Sequence, residues 1–301
     1  LVRRCARASR DAALNRSAAG RIPRGHSATN PYHKARFMLS VSLTQFLLVN
    51  DVFSFTIATM GAAAVFFFLQ RSELAPRYRM VAVLAGIVPL VACYNYVRLF
   101  ESWNGAYTES HGSVVATALS FNESYRYADW LITVPILVVN LVMVIDLPRR
   151  QAQVRCFVLG LLAFEMILLG YPGQFTSDAT TRWLWWSASM VPFCIIVYQL
   201  YFTLGDAVRN QPESARHLVV LARFVLMLIW SAYPIIYVLP DLGVTGPNSF
   251  LFTQVGYACT DISAKTIVGM LFYLIAARKS AALLDAGQGE TATRRAAMAR
   301  A

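Results

Sequence analysis

Seven apolar runs constrain this chain more than any other feature. They cover approximately residues 44–70, 80–99, 125–146, 154–171, 184–205, 217–239 and 250–277. At about 1.5 Å of rise per residue, such runs can cross a hydrocarbon core about 30 Å thick as helices. Lipid offers the backbone no hydrogen bonds, so a single spanning segment must satisfy its own groups, as a helix does. With 57% hydrophobic residues, 14% charged residues and a mean hydropathy of +0.48, the chain is too apolar for a soluble domain of 301 residues. The fold expected is an all-α membrane protein, a multi-pass bundle of seven transmembrane helices. Turn and breaker pairs separate the runs: Ala75-Pro76, Leu147-Pro148, Pro172-Gly173, Gln211-Pro212 and Gly246-Pro247. The fourth run is the shortest.

Arginines orient the bundle. The first, third and fifth connections carry Arg71, Arg77 and Arg79, then Arg149, Arg150 and Arg155, then Arg209 and Arg216. The second, fourth and sixth are nearly free of basic residues, Arg182 being the clearest exception. By the positive-inside rule the C-terminus is cytoplasmic and the N-terminus extracellular. Three parts follow: a basic extension (1–43), a seven-helix domain (44–280) and a cytoplasmic tail (281–301).

Net charge is +11, but residues 1–36 hold nine of the Lys/Arg residues and a single acid, Asp11. Basic residues gathered in a tail, without interleaved aromatics on a face, do not read as a nucleic-acid surface. Two accounts of this segment stand: a targeting peptide that is removed, or an unprocessed, disordered extension. The first would allow an organellar membrane in place of the plasma membrane. The five cysteines are widely spaced and show neither CxxC nor Cys/His spacing, so neither a metal site nor a disulfide framework is expected.

Of three lysines, Lys265 alone lies inside an apolar run. A charge at membrane depth costs roughly 2.5–3.5 kcal/mol and marks a functional site by default. Lysine is also the side chain that condenses with an aldehyde. Asp261 lies one helical turn earlier on the same face. In the third run Arg126, Asp129 and Thr133 share a face at spacings of three and four. An interhelical polar cluster would explain one isolated pair. Two Asp, one Arg and one Lys on two helices favour a charge relay instead.

The segments Arg126-Tyr127-Ala128-Asp129-Trp130 with Thr133 and Pro135, Trp230-Ser231-Ala232-Tyr233-Pro234, and Asp261-Ile262-Ser263-Ala264-Lys265 resemble those of the type I (microbial) rhodopsins. The resemblance covers roughly residues 45–280. Tyr96-Val97-Arg98-Leu99-Phe100-Glu101-Ser102-Trp103, Leu169-Gly170-Tyr171-Pro172-Gly173 and Gln254-Val255-Gly256-Tyr257 look most like the xanthorhodopsin-type proton pumps. The resemblance implies all-trans retinal joined to Lys265 as a Schiff base and no enzymatic activity. Asp129 would be counter-ion and proton acceptor, Asp261 the second counter-ion, and Arg126 would tune both from the extracellular side. Trp130, Trp230, Tyr233 and Pro234 would wall the polyene, with Tyr237 and Met166 further along and Ala264 beside the lysine. Leu137, eight residues past Asp129, resembles the green-absorbing choice at the family's spectral position.

Three departures matter. Asn140, eleven residues after Asp129, stands where the family's pumps place a carboxylate donor. Asn95 stands where they carry a histidine paired with the acceptor. Trp186 replaces the glycine of carotenoid-binding members, so no carotenoid antenna is expected. Glu165, beside Met166, is either protonated and hydrogen-bonded or turned toward a neighbouring subunit. Two function classes follow. One is a light-driven outward proton pump without a donor carboxylate. The other is a sensory rhodopsin or light-gated channel with a slow photocycle. Asp129 and Thr133 favour the first, Asn140 and Asn95 the second. A chloride pump fits poorly, because an anion would have to sit where Asp129 is already charged. Expected partners are lipid, protons and further copies of the chain, with a transducer only under the sensory reading.

Overall fold

The computed structural model describes residues 41–110, 113–176, 178–244 and 246–298, with backbone only for 247 and 287–298. The basic extension lies outside the described residues except for its last three. Among the described residues seven helices are long and apolar enough to cross a membrane. They are α1 (Leu43–Gln70), α2 (Arg79–Ala106), α3 (Ser124–Ile145), α4 (Arg149–Gln174), α5 (Ala179–Tyr198), α6 (Glu213–Val238) and a composite seventh span. That span consists of α7 (Pro247–Ile262), a π turn (Ser263–Ile267) and α8 (Val268–Met298). A second π turn, Gln199–Thr203, follows α5.

Local chemistry sets the boundaries. Ser42 and Gln45 form a capping box at the start of α1, each side chain bonded to the other's backbone N–H. Asp178 caps α5 by accepting from Thr181, whose hydroxyl and amide hold the Asp178 carboxyl below its usual range. This cap starts the fifth span at Ala179, earlier than the apolar run alone suggests. The fourth span, short by hydropathy, is a helix of 26 residues, because its first turns are polar but still helical. Asp146 ends α3 with a left-handed φ of 64°, and Pro148 then caps α4. Proline precedes α4 and α6, where its missing N–H costs nothing. The second connection carries an unforeseen antiparallel hairpin, β1 (Tyr107–Ser110) and β2 (Ser113–Ala116), with Tyr107 opposite Ala116.

Each of α1 to α5 packs on its successor, and the seventh span returns to α1, α2 and α6, which closes the bundle. α3 is the most enclosed span and α4 the least. The largest core cluster joins α3 to the inner faces of α4, α6 and α8.

One expectation needs correction. Lys265 is not the only lysine in a span: the last helix continues past Ala277, and the seventh span reaches Ala286. Lys279 therefore lies within it and is 4% exposed. Its ammonium donates to the Val144 carbonyl at 2.6 Å and sits 5.9 Å above the Tyr78 ring. Gln211 donates to the next carbonyl, Ile145, at 2.7 Å. Both carbonyls belong to the last turn of α3, where no intrahelical donor remains.

Candidate functional site: a buried lysine between two carboxylates

Lys265 lies in the π turn, 1% exposed, and faces two carboxylates. Oδ2 of Asp129 is 2.9 Å from its Nζ, and Oδ1 of Asp261 accepts a short bond from the same nitrogen. The i,i+4 spacing within the seventh span and a face of α3 meet here, as the sequence predicts.

The two carboxylates differ in their surroundings. Asp261 accepts from the Tyr96 hydroxyl (2.7 Å), the Trp130 indole (2.9 Å) and the Tyr233 hydroxyl (2.7 Å) besides Lys265. Asp129 is equally buried, yet neither of its carboxyl oxygens meets hydrogen-bond geometry with a described residue. Thr133 Oγ1 donates to the Asp129 backbone carbonyl at 2.9 Å. Protonating Asp261 would disrupt a full set of bonds, whereas Asp129 has an ion pair alone to lose.

Arg126, on the same helix as Asp129, is not ion-paired to either carboxylate. Its nearest carboxylate is Glu123 at 3.7 Å, and its guanidinium rests between the rings of Phe53 and Tyr257 at 5.6 and 5.5 Å. Gln254 donates to Glu123 at 2.7 Å. Glu123 was not singled out in the sequence, although its i,i+3 spacing to Arg126 was a readable signal.

On the opposite side of Lys265 the groups are neutral. Asn140, fully buried, donates to the Val81 carbonyl at 3.1 Å, which ties α3 to α2. Asn95 is not on that side: next to Tyr96, which bonds Asp261, it donates to Val91 on its own helix at 3.0 Å.

A cavity adjoins the lysine cluster. Trp130, Met166, Trp230, Tyr233, Pro234 and Tyr237 line it, all named from sequence. Trp130 and Tyr233 both line the cavity and bond Asp261, so they join chamber to charge cluster. Tyr127, Ser189 and Tyr257 also line it and were missed. The Tyr257 ring packs edge-on against Trp130 at 5.2 Å. Leu137 and Ala264 are buried but do not line this cavity. Trp186 stands in its wall, its indole donating to the Pro234 carbonyl at 3.1 Å. Gly173 lets Tyr237 pass close to α4, since a Cβ there would overlap the phenol oxygen.

Residues 48–279 match the family described as bacteriorhodopsin-like protein. The chain belongs to that family of microbial rhodopsins. Two solved rhodopsin structures are similar across most of their length. One is xanthorhodopsin, described as a light-driven ion pump with dual chromophore. It is 40% identical, has a TM-score of 0.77, and the match covers 80% of this chain and 96% of that one. The other is thermophilic rhodopsin, 38% identical with a TM-score of 0.78, covering 80% and 97%. Bacteriorhodopsin of Halobacterium salinarum is 26% identical over 245 residues, 78% of this chain and 88% of that protein. As a rhodopsin with seven apolar helices, the protein is a multi-pass membrane protein.

Proposed function

We propose that this rhodopsin is a light-driven proton pump that moves protons outward without a carboxylate donor. The observation that carries this reading is the asymmetry about Lys265. One carboxylate, Asp261, accepts from three donors besides Lys265, and the other, Asp129, is held at 2.9 Å by its ion pair to Lys265.

The cavity and its lining fit retinal. Its walls are aromatic, and two of them, Trp130 and Tyr233, bond the Asp261 carboxylate that holds the buried Lys265 amine. Retinal, joined as an imine to Nζ of Lys265, would supply a light-driven change of shape and a proton on that nitrogen. Trp130, Trp230, Tyr233 and Pro234 hold the chain, with Met166 and Tyr237 further out. Asp129 and Asp261 together balance the positive nitrogen. When the nitrogen gives up its proton, Oδ2 of Asp129 takes it, while Asp261 keeps its bonds to Tyr96, Trp130 and Tyr233. Arg126 and Glu123 continue the polar path beyond Asp129. On the other side Asn140 holds the α2 backbone and has no proton to give, so the nitrogen is recharged from solvent. Trp186, bonded across to Pro234, closes the wall against a second, carotenoid chromophore.

Light-induced acidification of the medium by cells expressing the full chain tests this reading. The signal should vanish with a protonophore. A second reading, a sensory rhodopsin or light-gated channel, draws on Asn140 and Asn95, each tied to a backbone carbonyl instead of a relay. It predicts no net acidification and a photocurrent that reverses with the membrane potential.

A further inference from the structure

The end of the bundle at which α4 and α6 begin gathers two arginines without an anion. Arg223 lies on α6, six residues inside the apolar run that starts near residue 217, so about 9 Å beyond its edge. Arg155 lies on α4, six residues after Arg149. Both are half-buried. Among the described residues neither has a carboxylate within ion-pair distance. A charge inside an apolar span marks a functional site by default.

The π turn after α5 brings the two together. In it the Leu204 amide bonds the Gln199 carbonyl, five residues back, at 3.0 Å. The Leu200 carbonyl accepts instead from Nη1 of Arg223 at 3.1 Å. Nη1 of Arg155 donates to the Gln199 side chain at 2.5 Å. Two guanidinium groups, one from α4 and one from α6, thus dock on consecutive residues. Tyr201 steadies Arg223: its ring lies 4.5 Å from the guanidinium, and its hydroxyl donates to the Arg223 carbonyl at 3.4 Å. Bracing the turn uses one of the five N–H donors of each arginine. It leaves the Arg223 Nε buried without a partner and sets two like charges close together. The surface beside them is aromatic and faces outward. Tyr198 and Phe202 stack at 5.2 Å, and both are largely exposed, as is Phe224 next to Arg223.

We propose that this corner of α4, α5 and α6 binds the phosphate of an anionic phospholipid, whose acyl chains lie along Tyr198, Phe202 and Phe224. The guanidinium fork matches phosphate oxygens, and basic pockets between membrane helices take acidic headgroups. A free anion would answer the charges but would have nothing to set against the aromatic faces beside them. A zwitterionic lipid would bring its own cation to a place that already holds two. An anionic lipid satisfies both the charges and the rings, and it ties the three helices together.

The test uses the purified full chain in detergent, with bound lipid read by native mass spectrometry and helicity by circular dichroism as the control for folding. Phosphatidylglycerol should bind and raise the unfolding temperature, and phosphatidylcholine should do neither. Arg155→Gln and Arg223→Gln should each weaken phosphatidylglycerol binding about fivefold, the weight of one basic contact to an anionic lipid. Arg150→Gln, which removes an exposed charge from the same end, should leave it unchanged. Should Arg223→Gln fail to fold for want of its brace, Arg155→Gln decides. Equal binding of phosphatidylcholine, an equal loss in Arg150→Gln, or no loss in Arg155→Gln overturns the proposal. Inorganic phosphate that stabilises the parent as well as the lipid does, and not Arg155→Gln, would mark a free-anion site and overturns it too. These readouts involve neither light nor proton movement, and neither arginine lines the cavity, so their failure leaves the pump reading standing.

Discussion

The two sides of Lys265 are built from different chemistry. Toward Arg126 the core is ionic: Asp129, Asp261, Arg126 and Glu123 lie along one path, with Tyr96, Tyr233 and Gln254 as donors. Toward Asn140 it is neutral next to the lysine, and the amide of Asn140 is spent on the Val81 backbone carbonyl. At the far end of that side Lys279 and Gln211 likewise bond carbonyls. One half can store and pass protons. The other half braces helices. Under the proposed pump reading, such an arrangement accepts a proton readily and is slow to replace it.

Removing the boundary between the halves has the largest effect. Lys265→Ala should abolish the visible band, and incubation with all-trans retinal should not restore it. A surviving band would show that the cavity binds its chromophore elsewhere. Next comes the ionic side. Asp129→Asn removes the carboxylate that pairs with Lys265 from α3, so absorption should move to the red and light-driven acidification should stop. If Asp261→Asn alone stopped acidification, the order of the two carboxylates would be reversed.

The neutral side is probed by recovery after a flash. With no internal donor, recovery in the parent should slow about tenfold per pH unit between pH 6 and 9, because its rate follows proton concentration. Asn140→Asp places a carboxylic acid against the Val81 carbonyl, which accepts a hydrogen bond from the acid but not from its anion. Recovery should then be faster and nearly independent of pH around neutrality. Fast, pH-independent recovery in the parent would mean that the neutral half holds a donor after all. The smallest effect is expected at Tyr96. Tyr96→Phe deletes one of four donors to Asp261, worth about 1.5–3 kcal/mol for a bond to a charged group. Thermal bleaching should come at lower temperature, with acidification retained.

The sequence made the ionic centre legible because its key pairs are local. Asp261 and Lys265 are four apart, Arg126 and Asp129 three apart, and helical periodicity alone puts each pair on one face. Apolar length did the same for the seven spans. What the sequence did not show came from tertiary contacts. The bonds of Asp261 to Tyr96 and Trp130 join residues 165 and 131 positions apart. The Gln254 to Glu123 bond also spans 131 positions. Lys279 was misread for a related reason. Hydropathy falls at Arg278, so the apolar run ends there, but the helix and its buried face continue. The family resemblance named Asn140 as a departure, and only the fold revealed that its amide is a brace between α2 and α3.

The π turn around Lys265 has one more consequence. It holds one residue more than regular α-helix, so everything after it is rotated by about 100° relative to an uninterrupted helix. Phe272, Ile275 and Lys279 face the core because of that added residue. The phase of the final helix is thus set at the lysine itself. A single-residue deletion between Ser263 and Ile267 would regularise the helix and force a choice of register. Lys265 could keep its carboxylates or Lys279 its carbonyl, but the chain could not satisfy both.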